Sequence, residues 1–206
     1  MGMLKSTKDH KKYWKNRKIN WKESYFDTYN HPHRQMIINL LKRVSFGSIL
    51  EVGCASGPNL YRISKEFPGV QVGGVDISKE AIETARVLLP PKAILQVDSA
   101  DELFFSDKSS DIVLADACLI YLGPTRINKA INEMKRIARK QVILVEFHSE
   151  NFLERLGIWS ASGYFSYNYK KLLTKHGFHS IEMTKIPESV WGYPWSSWGY
   201  VIKAEV

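Results

Sequence analysis

A doubly wound α/β fold is what this 206-residue sequence predicts, and three observations carry the prediction. Apolar runs ending at Val52, Asp76, Val97, Ala115 and Phe147 alternate with amphipathic stretches. The first run breaks into a turn with glycines four apart, Gly53 and Gly57, and an amphipathic segment follows at once. An aspartate closes the second, third and fourth runs: Asp76, Asp98 and Asp116. Strands buried on both faces and separated by helices make a parallel sheet covered on each side. Such sheets bind ligands beyond the carboxyl ends of their strands, where the glycine turn and these acids fall.

Taken in order, residues 1–29 are a basic, aromatic arm ahead of a domain spanning residues 30–206. Lys5, Lys8, Lys11, Lys12, Lys15, Arg17, Lys18 and Lys22 against Asp9 give residues 1–22 a charge of +7, of the chain's total of +8. Trp14, Trp21, Tyr25 and Tyr29 share one side of the arm if it is helical. Asn30 is the expected N-cap, and Pro32 the first turn, of a helix burying Met36, Ile37, Leu40, Leu41 and Val44. The turn at Gly53–Gly57 leads into a second helix, with backbone amides expected to be exposed at its N-terminus. Residues 70–76 are the second strand. Ser78 then caps a helix with Glu80 in its first turn and Ala81, Ile82, Ala85, Leu88 and Leu89 on its apolar face. Residues 93–97 and 111–115 are the third and fourth strands. Pro124 opens a helix packed through Ile127, Ala130, Ile131, Met134, Ile137 and Ala138, and residues 141–147 are the fifth strand.

The glycine turn narrows the choice of ligand. A dinucleotide fingerprint needs glycine at the first, third and sixth positions, which here are Gly53, Ala55 and Pro58. Pro58 has no N–H and puts a ring where helix and strand approach. No phosphate-binding lysine follows Gly57. Glu51, Gly53 and Gly57 instead resemble the first motif of class I S-adenosylmethionine-dependent methyltransferases, acidic-x-Gly-x-Gly-x-Gly, with Ala55 in the place of the middle glycine. The resemblance covers residues 30–206. It implies a seven-stranded sheet of order 3-2-1-4-5-7-6 that ends in an antiparallel hairpin. Residues 165–176 would be the helix before that hairpin, with Gly177 at its C-cap. Residues 178–186 and 198–206 would be its strands, joined through Pro187, Gly192 and Pro194.

The resemblance also implies the cofactor, S-adenosylmethionine, with S-adenosylhomocysteine as product. Asp76 would accept both ribose hydroxyls and Asp98 the adenine amine, with the Ser99 and Ala100 amides on the ring nitrogens. Arg34 would pair with the methionine carboxylate. Cys54, Ala55 and Asn59 from the turn, with Ile77, Asp116 and Ala117 from the strand tails, complete the expected site beside Glu51, Gly53 and Gly57. The arm would fold over the cofactor as a lid.

Methyl transfer is an in-line displacement in which the enzyme mainly aligns the nucleophile and excludes water. His148, directly after the fifth strand, is the expected base, since a histidine with a pKa near ~6.5 suits proton removal at neutral pH. Tyr121 is expected to orient the nucleophile. His31 and His33 border the methionine end as capping groups or as groups facing the substrate. Asp116-Ala-Cys-Leu-Ile-Tyr121 lacks the Asn/Asp-Pro-Pro-Tyr/Phe run of enzymes that methylate planar amines. Together with the aromatic residues around 159–169 and 191–198, this favours a small apolar or aromatic methyl acceptor. RNA or a protein side chain is the runner-up substrate, and a non-catalytic S-adenosylmethionine-binding module is the alternative of another class. For the arm, contact with nucleic acid or with an anionic membrane stands beside the lid. Cys54 and Cys118 form neither a disulfide framework nor a metal-ligand cluster, so no metal site is expected and a reduced, cytoplasmic setting follows. No apolar run approaches the roughly 20 residues of a membrane span.

Overall fold

In the computed structural model, which describes residues 9–206, seven strands form one sheet. They are β1 Ser48–Val52, β2 Gln71–Asp76, β3 Ile94–Val97, β4 Ser110–Asp116, β5 Ala138–Phe147, β6 His179–Lys185 and β7 Gly199–Glu205. Their order is β3-β2-β1-β4-β5-β7-β6, as the resemblance implied. The first five strands run parallel, and β7 enters antiparallel between β5 and β6.

Nine α-helices surround the sheet among the described residues. They are α1 His10–Lys15, α2 Trp21–Ser24, α3 Pro32–Leu41, α4 Pro58–Glu66, α5 Lys79–Leu88, α6 Pro124–Ile137, α7 Phe152–Ser162, α8 Tyr169–Lys175 and α9 Glu188–Trp191. The two-residue period of a strand divides the core into two layers. On β4, Ile112 and Leu114 pack with α3, α4 and α5 through Ile37, Leu60 and Ile82. Val113 and Ala115 pack on the other face with α6 and α8 through Ile131, Met134 and Leu173. On β2, a Cβ at Gly74 would lie 2.7 Å from both Cys54 Sγ and Leu60 Cδ1, so the bare strand lets the β1–α4 turn settle against it.

Several boundaries differ from expectation. Strand β5 starts at Ala138, which also closes α6, so helix runs into strand without a loop. Helix α8 is shorter than the predicted 165–176, because residues 165–167 are extended and tied to the strand tails. Phe165 N–H donates to Ile120 O, and Tyr167 N–H to Phe147 O. Helix α7 was not foreseen; Asn151 caps it by accepting from Leu153 and Glu154 N–H, and Gly163 ends it at φ 75°. Helix α3 is capped by His31, whose Nδ1 accepts from His33 N–H, rather than by Asn30. It buries Ile37, Ile38 and Leu41 fully and Met36 and Leu40 in part, while Val44, expected on the same helix, lies beyond its end and packs against the same core.

The arm is not one helix. Two short helices, α1 and α2, and a 3₁₀ turn at Phe26–Thr28 carry it across the carboxyl edge of the sheet. The basic run at Lys5 and Lys8 lies outside the described residues. Among the described residues, no helix is long and apolar enough to cross a membrane.

Candidate active site

The β1–α4 turn is stitched to β2 rather than held open. Gly53 and Cys54 N–H both donate to Val75 O, at 2.8 and 2.9 Å, and Gly57 N–H donates to Cys54 O at 2.8 Å. Ala55 N–H donates to Asp76 Oδ2 at 2.9 Å. Four amides of the turn itself, ahead of the first helical residue Pro58, are thus already taken. The glycines supply shape instead. Gly53 (φ 76°) sits where a Cβ would lie 2.4 Å from Cys118 Sγ, and Gly57 (φ 83°) where it would lie 2.6 Å from Leu89 Cδ1. Ala55 also has positive φ, 49°, a conformation that costs an L-residue roughly 1–2 kcal/mol.

A cavity of about 680 Å³ opens at the carboxyl edge of the sheet, within the roughly 300–1,000 Å³ typical of small-molecule sites. Of the residues expected from sequence, Arg34, Glu51, Gly53, Cys54, Ala55, Asn59, Asp76, Ile77, Asp98, Ser99, Ala100, Asp116, Ala117 and Tyr121 line it. Gly57 and His148 do not. Gly57 lies behind the wall, where it allows α4 to approach Leu89. His148 is 8 % exposed and spent on the scaffold: its Nδ1 accepts from Tyr169 N–H at 3.1 Å, and its own N–H donates to Trp198 O at 2.8 Å. Burial lowers its pKa. The structure thus sets the expected base outside the cavity, as a tie between β5, α8 and the approach to β7.

The three strand-end aspartates have different surroundings. Asp76 accepts Ala55 N–H on one oxygen and Ser78 N–H on the other, the latter at 2.8 Å. That leaves a lone pair on each oxygen for the cavity. Burial pushes its carboxyl up, against the pull of these amides. Asp98 accepts Phe104 N–H at 3.2 Å. Beside it, Ser99 Oγ–H donates to Asp101, which is held by Arg126 at 2.7 Å and kept well below the usual carboxylate range. Arg126 also lines the cavity. Sequence reasoning missed this pair, whose members lie 25 residues apart with no local pattern linking them.

Asp116 is the hub of a buried polar network. Its Oδ2 accepts from Asn59 Nδ2 at 2.9 Å, Arg34 NH1 at 3.0 Å and His33 Nε2 at 2.9 Å. Burial alone would push the Asp116 carboxyl up, but His33, Arg34 and Asn59 hold it below the ordinary range. Asn59 Nδ2 also donates to Glu51 Oε1 at 2.6 Å, and its Oδ1 accepts from Arg34 NH1 at 2.7 Å. Arg34 spends its remaining bonds on Thr28, through Nε to the carbonyl and NH2 to the hydroxyl. One guanidinium N–H is left uncommitted among the described residues. Glu51 Oε2 is buried without a partner among them, and burial pushes that carboxyl up to about 8.

Aromatic rings close the remaining sides. Trp14 of α1 meets Tyr121 edge to face, centroids 4.9 Å apart, and Trp21 of α2 is 3 % exposed. Ser56 Oγ–H donates to Trp21 O at 2.8 Å, and His10 Nε2 lies 3.0 Å from Gly163 O. Trp195 stacks on Phe147 at 5.5 Å, and Trp191 meets that ring edge-on at 5.9 Å. Burial pushes Tyr25 up to about 12, and Tyr121 well above its ordinary value. Behind this wall, Glu146 of β5 accepts N–H bonds from three successive residues of the β4 tail, Cys118, Leu119 and Ile120.

Residues 49–141 match the family model described as a methyltransferase domain. A trans-aconitate 2-methyltransferase of Acidovorax sp. (strain JS42) is 28 % identical over 106 residues, 50 % of this chain and 40 % of that protein. The chain thus matches well under half the length of this curated relative. Among solved structures, a SAM-dependent methyltransferase from Methanosarcina mazei has a TM-score of 0.61 at 23 % identity, covering 81 % of this chain and 96 % of that one. Magnesium protoporphyrin IX methyltransferase from Synechocystis PCC 6803, with bound SAH, has a TM-score of 0.66 at 14 % identity, covering 96 % and 99 %. With the motif on β1, the strand order and the closing hairpin, the match makes residues 49–141 a methyltransferase domain, carried on the seven-stranded fold of the class I S-adenosylmethionine-dependent methyltransferases.

Proposed function

We propose that the protein transfers a methyl group from S-adenosylmethionine to a small molecule with an apolar or aromatic body. One observation carries this: unspent acceptors line the cavity next to a continuous aromatic wall. Asp76 keeps a lone pair on each oxygen for a ribose diol, and Asp98 stands one strand further on for an exocyclic amine. The unpartnered Glu51 Oε2 suits an ammonium group, and the free Arg34 N–H a carboxylate. When bound, the sulfonium supplies an already activated methyl group. The chain's own contribution is to align the acceptor along Phe147, Tyr121, Trp191 and Trp195 and to keep water away.

In the same reading the arm is a lid. Tyr13, Trp14, Arg17, Trp21 and Tyr25 all line the cavity, which supports a covering role over docking of RNA or an anionic membrane through the same residues. The test is calorimetric titration of the purified protein with S-adenosylhomocysteine, with thermal shift in parallel. Micromolar binding and a raised Tm are expected. Indifference to this molecule, or binding of a nicotinamide dinucleotide in its place, would overturn the proposal.

A further inference from the structure

We propose that His31 anchors the methyl acceptor through a donor N–H, and that the acceptor is therefore a carboxylate on an apolar or aromatic body. This deepens the proposed methyl transfer and rests on it. A tautomer carries it, since both contacts of His31 Nδ1 are made to donors.

As the cap of α3, His31 Nδ1 accepts from His33 N–H at 3.4 Å. The same atom lies 2.6 Å from His33 Nδ1. An imidazole nitrogen that accepts carries no hydrogen, so the proton of the shorter contact sits on His33 and points at His31. The ring of His31 is neutral, because burial, with His33 and Arg34 beside it, lowers its pKa. Its one proton is then on Nε2. That nitrogen makes no hydrogen bond among the described residues and stays open to the cavity that His31 lines.

His33 and Asp116 sharpen the donor. On its far side His33 Nε2 donates to the ionised Asp116 Oδ2 at 2.9 Å, so His33 carries a hydrogen on both ring nitrogens. A cationic donor on Nδ1 polarises the His31 ring and strengthens its Nε2–H. Arg34, 3.0 Å from Asp116, adds a second positive charge against one negative. Trp191 lies 5.9 Å from His33 and 5.9 Å from Phe147, so this electropositive corner adjoins the aromatic wall assigned to the acceptor.

Among the described residues the rest of the cavity is short of bases. His10 Nε2 donates to Gly163 O, and its Nδ1 is buried, as is Glu51 Oε2. Burial pushes Tyr25 up to about 12 and raises Tyr121 and Tyr164 as well, so these phenols keep their protons. Three donors occupy Asp116, while Asp76 and Asp98 are the groups proposed for the adenosyl moiety. Such a site suits an oxygen that arrives already ionised. A carboxylic acid, with a pKa near ~4, meets that condition at neutral pH, and a phenol near ~10 does not. In the step, a carboxylate lone pair forms the new O–C bond, the C–S bond breaks with its pair left on sulfur, and no proton moves. The ester has lost the charge that His31 held, which favours its release.

One variant separates the donor from the cap. His31→Asn keeps a side-chain oxygen for the helix N-terminus, where asparagine is favoured, and removes the ring N–H. The probes are 2-naphthoate and 2-naphthol, which share one body, titrated into the full chain loaded with S-adenosylhomocysteine. 2-Naphthoate is expected to bind about tenfold or more tighter than 2-naphthol. His31→Asn should weaken 2-naphthoate by about tenfold or more, the usual worth of a charge-assisted bond, and leave S-adenosylhomocysteine within about twofold. With S-adenosylmethionine, 2-naphthoate should yield its methyl ester, and the variant should raise KM more than it lowers kcat.

Independently of any acceptor, ¹⁵N-histidine spectra at pH 7 should show the His31 proton on Nε2. Equal affinity for the two probes, no binding of 2-naphthoate, undiminished binding in His31→Asn, or a bare Nε2 would each overturn the anchor. So would an equal loss of S-adenosylhomocysteine affinity in the variant, which would give the N–H to the cofactor. Wild-type protein that binds S-adenosylhomocysteine normally yet fails these arms leaves the methyltransferase proposal standing. Wild-type protein that does not bind it defeats that proposal first.

Discussion

Trp14 and Tyr121 meet edge to face across the cavity, 4.9 Å between centroids, and so join the arm to the tail of β4. Arg17 lies over the Trp14 ring at 4.8 Å, and Trp21 and Tyr25 approach it from the side at 6.3 Å each. Trp14 thus holds the described part of the arm over the site.

Removing that ring should loosen the cover without dismantling the sheet. An aromatic pair is worth ~0.5–1.5 kcal/mol beyond its buried area. Trp14→Ala is therefore expected to raise the off-rate of S-adenosylhomocysteine by about 2–10-fold, measured by stopped-flow displacement. An unchanged off-rate would mean that the arm does not act as a lid.

Asp76 has two duties, and two variants separate them. Asp76→Ala removes both the cavity-facing acceptors and the partner of the Ala55 and Ser78 amides. With charge-assisted bonds at roughly 1.5–3 kcal/mol each, loss of two should weaken S-adenosylhomocysteine by about 100-fold or more in calorimetry. Asp76→Asn keeps one oxygen and should fall between, with circular dichroism confirming the fold of both. Wild-type affinity in the alanine variant would refute the ribose role.

Gly57→Ala tests the turn through stability alone. The added methyl meets Leu89 at 2.6 Å and forces a side chain onto φ 83°. A cost of about 1–3 kcal/mol is expected, which at this chain length lowers Tm by roughly 2–12 °C. Adding Leu89→Ala relieves the contact but not the φ. The double variant should therefore be less damaged than the sum of the two, read as a coupling in urea melts. Strict additivity would show that the contact carries none of the cost.

Glu51 should make stability fall as pH rises. Its folded pKa, raised by burial to about 8, lies above the unfolded value near 4.5, so the folded state holds the extra proton between the two. Its contribution is complete below pH 4.5 and is lost progressively up to about pH 8, with a slope of at most about 1.4 kcal/mol per pH unit. Glu146, pushed up to about 8 by burial as well, acts with the same sign, whereas the lowered pKa of His148 acts in the opposite sense at lower pH. The difference between wild type and Glu51→Gln isolates the first term. Parallel stability-pH curves for the two would show that Glu51 is ionised in the folded protein.

Period and composition made the sheet legible. Strand after strand lies within three residues of its predicted limits, because apolar runs buried on both faces leave few alternatives. Positions along the carboxyl edge were readable for the same reason: a residue at a strand tip is placed by the strand. What the sequence hid depends on contacts between distant segments. Residues 165–167 carry a helix-like pattern, yet their amides are claimed by Ile120 and Phe147, and the chain stays extended. Helix α7 leaves Phe152, Leu153, Leu156 and Trp159 exposed, so it has no inward apolar stripe to announce it. His148 occupies a strand tip but turns toward Tyr169, a choice made by side-chain packing. The His31–His33–Asp116 chain spans 85 positions and cannot be drawn from spacing.

Glu146 has a consequence for how this cavity can change. By gripping the amides of residues 118–120 from the neighbouring strand, it fixes where that backbone runs whatever side chains the segment bears. Substitutions there can resize the wall without moving the ledge beneath it, so selectivity for a new molecule can drift while the scaffold stays put.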